Sequence, residues 1–170
     1  TLPTDYDARF IYEKMGYNLG PLELQAAMGR IQLKKTERIK KLRQRNFDYL
    51  YKHLSKYPDL VMPKVVKGAD VCWFAFPITF GYWDEGLEWI GRDRGDLVAH
   101  LEKHGIETRS MFSGNIIKHP AYIDSKYRIS GELTGADFIM KHSFWITVHP
   151  RLTKKDLEYI VKSFDDYFNT

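Results

Sequence analysis

Between Glu107 and Tyr122 the chain gathers side chains suited to oxygen-rich ligands: Arg109, Ser113, Asn115, Lys118 and His119, arranged around Gly114. A guanidinium at a strand end can grip a phosphate or a sugar hydroxyl through its planar fork of donors. The same group would equally pair with a local carboxylate, Glu107 or Glu132. The residue types leave both readings standing. A second polar feature lies near the start, in Gly16-Tyr17-Asn18-Leu19-Gly20-Pro21. It reads as a turn that delivers the Asn18 amide just before a helix. Gly16 and Gly20 permit backbone angles that other residues avoid, and Pro21 suits a first helical position. Asn18 either presents a donor to a ligand or caps the backbone that Pro21 leads.

Other chemistry is missing from the sequence. It holds no Gly-rich phosphate loop followed by Lys and Ser/Thr and no Cys-x-x-Cys metal spacing, and its His-x-x-x-His spacing is the pair His100 and His104. His100 and His104 share a helix face but have no third ligand nearby in sequence, the pattern of an inert pair. Cys72 is the single cysteine, so no internal disulfide and no cysteine metal site can form, which suits a reducing, cytoplasmic setting. The net charge of +4 is too mild to demand a nucleic acid or a membrane. Lys34 to Arg45 carries seven basic residues against Glu37 alone, yet no aromatic interleaves them, and the run reads as the solvated side of a helix. No apolar run reaches membrane-spanning length. The start, Thr1-Leu2-Pro3-Thr4, reads neither as an initiator nor as a secretory signal, and is expected of a piece cut from something longer.

The elements that must position these residues follow from periodicity. From Pro21 to about Tyr57 the pattern is helical, with a phase drift near Lys34-Lys35-Thr36 that predicts two helices or one bent one. Leu24, Met28 and Ile31 are expected to be buried in the first section, and Ile39, Leu42, Tyr49, Leu50 and Leu54 in the second. Pro58 and Pro63 break the helix around a short strand, Leu60-Val61-Met62. Gly68-Ala69-Asp70 reads as a turn. Val71 to Phe80 is aromatic and β-branched, a strand with a bulge or an edge at Pro77. Residues 81–92 form a connection of undefined form. Asp93 caps a helix whose Leu97, Val98 and Leu101 face inward, and which Gly105 and Ile106 terminate. Ile106 to Met111 reads as a strand, 113–135 as a long loop of the kind that usually serves function, and Ala136 to His142 as a short helix. Phe144 to Val148 is a strong strand that Pro150 ends. Thr153 with Asp156 forms a capping box for a final helix that buries Leu157, Ile160, Val161, Phe164 and Phe168. The whole is α+β: a helical arm, then a small sheet with helices on one face.

Several stretches together resemble a known family. Gly16-Tyr17-Asn18 followed by Leu24-Gln25-Ala26-Ala27 is similar to the signature of the DegT/StrS pyridoxal-phosphate (PLP) sugar aminotransferases. Trp73-Phe74-Ala75-Phe76-Pro77-Ile78, Thr108 to Asn115, Tyr127 to Thr134 and Phe144-Trp145-Ile146 resemble one branch of it, the nucleotide-linked 4-keto-6-deoxyhexose 3-dehydratases. The resemblance implies the C-terminal small domain of a type I PLP-dependent transferase fold, with long connecting helices and a small antiparallel-type sheet. Residues 1–35 would be the tail of the large PLP domain and the start of the connecting helix, and 36–170 the small domain. The cofactor-bearing residue of the family, Lys in aminotransferases and His in dehydratases, lies upstream, so no catalytic residue is expected here.

The same resemblance implies roles for particular side chains. Asn18 matches the family Asn that reaches the PLP phosphate of the neighbouring subunit in a homodimer. Gly20 stands where the family often has a basic residue. Arg109, Ser113 and Asn115 match a substrate-facing loop. The implied cofactor is PLP, or its pyridoxamine form (PMP). The implied substrate is a nucleotide-linked 4-keto-6-deoxysugar of cell-surface polysaccharide synthesis, with a reductase as partner. Members of the branch differ in carrying an iron–sulfur cluster, and Cys72 does not match its cysteines. Two other expectations compete: a sugar aminotransferase of the same family, and a stand-alone binding or dimerisation module. The module reading requires that no large apolar face be bare, so exposure of Tyr6, Phe10, Tyr12, Leu24 or Met28 would weigh against it.

Overall fold

The computed structural model describes residues 16–17, 19–81 and 93–169. Asn18, the aromatic cluster of Tyr6, Phe10 and Tyr12, and the connection 82–92 lie outside the described residues. The chain divides into two units, Thr1–Thr36 and Glu37–Thr170.

The first unit contains helix α1 (Glu23–Leu33). It begins two residues after Pro21, at an extended Leu22 whose N–H is accepted by the Gln25 side chain at 3.1 Å. The expectation of a buried stripe fails here. Leu24 is 70% exposed, Met28 60% and Ile31 51%, and no residue of α1 is buried. The spacing correctly puts these residues on one face, but periodicity reports which residues share a face and not whether anything covers it. Bare Leu24 and Met28 count against the stand-alone module.

The second unit holds α2 (Thr36–Leu54), β1 (Leu60–Val61), β2 (Ala75–Phe80), α3 (Arg94–Lys103), β3 (Thr108–Ser110), a 3-10 turn (Ile116–Lys118), α4 (Pro120–Ile123), α5 (Thr134–His142), β4 (Ser143–Thr147) and α6 (Lys154–Phe168). The strands form one antiparallel sheet in the order β1-β2-β4-β3. The break between helices falls at the predicted phase drift. The strands are shorter than the sequence suggests: 71–74 and 106–107 stand outside β2 and β3. Pro77 is tolerated because β1 reaches only Thr79 and Phe80, which leaves the β2 backbone unpaired on that side at Pro77.

The alternation of strand side chains decides where the core sits. Phe76, Ile78 and Phe80 of β2, with Phe144 and Ile146 of β4 and Val148 after it, point to one face and are buried against α2, α3 and α6. Those helices contribute Phe47, Leu50 and Leu54, then Leu97 and Leu101, then Leu157, Ile160, Val161 and Phe164. In α2, Ile39, Leu42 and Tyr49 are only half-buried, as are Val98 in α3 and Phe168 in α6. Asn46 is instead fully buried, and its amide donates to the His149 carbonyl at 2.8 Å, fastening α2 to the end of β4.

The helix ends follow the predicted chemistry. Asp93 accepts from the Gly95 N–H at 3.0 Å. At the other end of α3, Gly105 adopts φ 74°, its N–H meets the Glu102 carbonyl, and the Ile106 N–H meets the Leu101 carbonyl. That pair of bonds closes the helix and tucks Ile106 into the core. Thr153 and Asp156 make the reciprocal capping box at the start of α6.

Candidate functional site

The face of the sheet away from the core carries the chemistry. Trp145 on the inner strand β4 lies opposite Pro77 on one side and Arg109 on the other. Register therefore puts Arg109 and Trp145 side by side. Together they line a cavity of about 650 Å³, with Phe74 and Phe112 among its walls. That size suits a small-molecule ligand.

Arg109 is held by Glu107, the nearer of the two carboxylates considered. Its Nε and Nη2 both donate to Glu107 Oε1, at 3.0 and 2.6 Å. Both partners are well exposed. Such a pair contributes little stability and yields readily to a better anion. Arg43, from the basic run of α2, enters the same cavity from the other side. Its Nη1 donates to the carbonyls of Trp73 and Phe74 at 3.0 and 2.6 Å, and its guanidinium lies 5.9 Å from the Phe74 ring centre. Arg45 likewise donates to the Asn46 side chain and to the Leu152 carbonyl, and Lys40 pairs with Asp70. Part of the basic run thus serves the fold. The Phe74 ring meets Trp145 edge-on at 5.2 Å. The Trp145 indole N–H is buried without a hydrogen-bond partner among the described residues.

The loop after β3 is tightly constrained. Phe112 has φ 47°, the single positive value at a non-glycine among the described residues, and its ring is 75% exposed. A left-handed conformation costs a side-chain-bearing residue about 1–2 kcal/mol, so the surroundings must enforce it. Gly114 follows at φ 55°, packed so closely on α5 that a Cβ would lie 2.6 Å from Met140 Cβ and 2.9 Å from its Cα. Its N–H meets the Met111 carbonyl at 3.0 Å. The Ser113 carbonyl accepts from His119 Nε2 at 2.7 Å, which fixes the proton on that ring nitrogen.

Asn115 is buried, and its amide donates to Asp137 Oδ1 at 2.7 Å. Lys118 reaches the same oxygen at 2.7 Å. The Lys118 ammonium first, then the Asn115 amide, hold the Asp137 carboxyl below the usual range. Asn115 lines a separate hollow of about 320 Å³ with Gly114, Tyr127, Ile129 and Leu133. The structure thus places Arg109 on the sheet-face cavity and Asn115 beneath the loop, with Ser113 between them in sequence. His100 and His104 are engaged locally, with the Ser163 and His100 carbonyls respectively.

Trp145, Phe74, Phe112 and Arg43 were not singled out by sequence reasoning. Alternation along β4 could have signalled Trp145 as facing away from the core. Its meeting with Arg109 needed the register of β3, which no local pattern encodes. Asp137 was missed because a single acid in the first turn of a helix ordinarily answers the helix dipole.

Residues 2–165 match the DegT/DnrJ/EryC1/StrS aminotransferase family. Over 169 residues the chain is 39% identical to the lipopolysaccharide biosynthesis protein RfbH of Salmonella typhimurium, covering 99% of this chain and 37% of that protein. It is 37% identical over 167 residues to a dTDP-4-dehydro-2,6-dideoxy-D-glucose 3-dehydratase of Saccharopolyspora spinosa, covering 98% and 35%. Among solved structures, an E. coli GDP-4-keto-6-deoxy-D-mannose-3-dehydratase with bound hydrated PLP superposes with a TM-score of 0.77 at 25% identity, covering 94% of this chain and 39% of the other. The chain therefore spans rather more than a third of the length of these relatives. By the extent of the family match and the identity to curated relatives, this chain belongs to the DegT/DnrJ/EryC1/StrS aminotransferase family.

Proposed function

We propose that the chain is the C-terminal part of a PLP- or PMP-dependent nucleotide-sugar 3-dehydratase acting in deoxysugar synthesis for cell-surface polysaccharide. The observation that carries this reading is the 37% identity, over 98% of the chain, to a protein named as a sugar 3-dehydratase. The name of the Salmonella relative supports the polysaccharide setting. In this reading residues 1–35 belong to the large domain and 36–170 form the small one.

Arg109 is proposed to bind the substrate. It sits on an open cavity, and its exposed Glu107 partner can be exchanged for a phosphate or hydroxyl oxygen. Ser113 shares this loop and is proposed to face the substrate with it. Asn115 is proposed to act from below by positioning the loop, since its amide is committed to Asp137. The cavity presents guanidinium donors for oxygen atoms, and Glu107, which also lines it, already holds Arg109. The cofactor is accordingly proposed to be held mainly by residues beyond this chain, with Asn18 reaching its phosphate across a homodimer interface. When bound, the cofactor would supply the chemistry that loosens the sugar 3-hydroxyl. This chain would bind and orient the sugar. A reductase partner and a cytoplasmic setting complete the reading. No helix among the described residues is long and apolar enough to cross a membrane.

The test is turnover by the intact enzyme. With PLP or PMP and a nucleotide-linked 4-keto-6-deoxyhexose, a product that has lost its 3-hydroxyl is expected, and the isolated chain should give none. Transfer of an amino group from glutamate, with no 3-deoxy product, would establish instead the aminotransferase that the family description favours.

A further inference from the structure

We infer that Phe112 is a substrate-binding residue that stacks on the planar base of a nucleoside diphosphate whose phosphates sit on Arg109. The inference rests on the nucleotide-sugar reading above and deepens it. Three observations carry it. First, Phe112 keeps a left-handed backbone and still shows most of its ring to solvent. A strained residue persists only where neighbours over-determine it, and strain of this kind clusters at ligand clamps. Second, the neighbours do over-determine it. Gly114 is pressed on Met140, His119 holds the Ser113 carbonyl, and Asp137 gathers Asn115 and Lys118. Third, the ring borders the same cavity as Arg109 and as a second exposed ring, Phe74, which Arg43 holds in place through its backbone carbonyl.

An exposed aromatic face beside a guanidinium answers the two parts of a nucleoside diphosphate: a flat apolar ring and an anion. A phosphate alone would need the cation but not the ring. Asp137 then acts as a positioning residue, because through Asn115 and Lys118 it holds the loop that carries Phe112.

The experiment titrates the intact enzyme with CDP, dTDP and GDP, and separately with inorganic pyrophosphate, by calorimetry. Phe112→Leu is expected to weaken the nucleoside diphosphate that binds best by about tenfold, the scale of losing one base stack, and to leave pyrophosphate unchanged. Phe112→Tyr should restore affinity. Arg109→Gln should weaken both ligands. Asp137→Asn should cost affinity in the wild-type background and nothing further in Phe112→Leu. Thermal unfolding of each variant confirms folding, which an exposed ring does not endanger.

Equal affinity of wild type and Phe112→Leu overturns the inference, and so does a wild type that binds none of the three nucleotides. The functional reading is judged separately, by loss of the sugar 3-hydroxyl. Turnover with an indifferent Phe112 sinks this inference alone. The expected affinity losses without any 3-deoxy product sink the dehydratase alone.

Discussion

The Asn115 amide and Asp137 Oδ1 meet at 2.7 Å and join the loop after β3 to the first turn of α5. The loop has no strand partner past Ser110, so this bond and the Lys118 contact to the same oxygen stand in for a ladder. Asp137→Ala should lower the urea midpoint of the intact protein, since it leaves a buried amide donor unpaired. Asn115→Ala combined with it should cost less than the sum of the two changes.

The same carboxylate predicts a pH dependence. Lys118 and then Asn115 lower its pKa on folding. Its contribution is therefore complete above the unfolded value of about 4 and is lost as the pH falls through the lower folded value. Acid unfolding of wild type and Asp137→Asn, followed by circular dichroism, should converge at low pH and separate above about pH 4.

Gly114→Ala should destabilise by roughly 1–3 kcal/mol, because the new Cβ meets Met140 and the backbone is left-handed. Met140→Ala should not rescue it. Alanine would remove the Cγ contact at 2.8 Å but keep those with Cβ at 2.6 Å and Cα at 2.9 Å. Denaturant titration of the two single variants and the double variant checks this.

Tyr57 donates to Asp165, which also takes Lys56, beneath the stacked ring of Phe168. Burial first, then the Asp165 hydrogen bond, push the phenol well above its usual range. The protonated phenol is thus favoured in the folded state. This stabilisation is complete below the unfolded value of about 10 and fades as pH rises above it. Tyr57→Phe should cost about 1.5 kcal/mol at neutral pH, for a hydrogen bond to a charged group, and should flatten the alkaline limb of the stability curve.

Thr153→Ala removes the side-chain acceptor at the start of α6, the helix with the longest buried stripe. A loss of about 1 kcal/mol is expected. Thr153→Ser should restore it, read as the midpoint of thermal unfolding.

Much of this was legible in the residues. The ends of α3 and α6 rest on Asp93, Gly105 and Thr153, whose effects act within one turn of chain. The strand cores announced themselves by the aromatic and β-branched runs at 71–80 and 144–148, within or beside which β2 and β4 form. The Leu24–Met28–Ile31 stripe shows the limit: its spacing predicted a face and its burial did not follow, because spacing does not encode what lies against a face.

By itself the sequence determined the α+β class, the order of the strands and longer helices, the ends of α3 and α6 and, through motifs distributed along its length, the family. These depend on contacts near in sequence or on patterns readable one residue at a time. The 3-10 turn and α4 lie in the stretch 113–135 that the sequence reads as loop. Only the tertiary structure decided which polar groups share a site. It set Arg109 beside Trp145, brought Arg43 to the same cavity and separated Asn115 from both. It also placed Phe112 in a left-handed turn at the rim. Strand register and the packing of Gly114 on Met140 produce these placements, and both are set by residues distant in sequence, where local propensity has no reach.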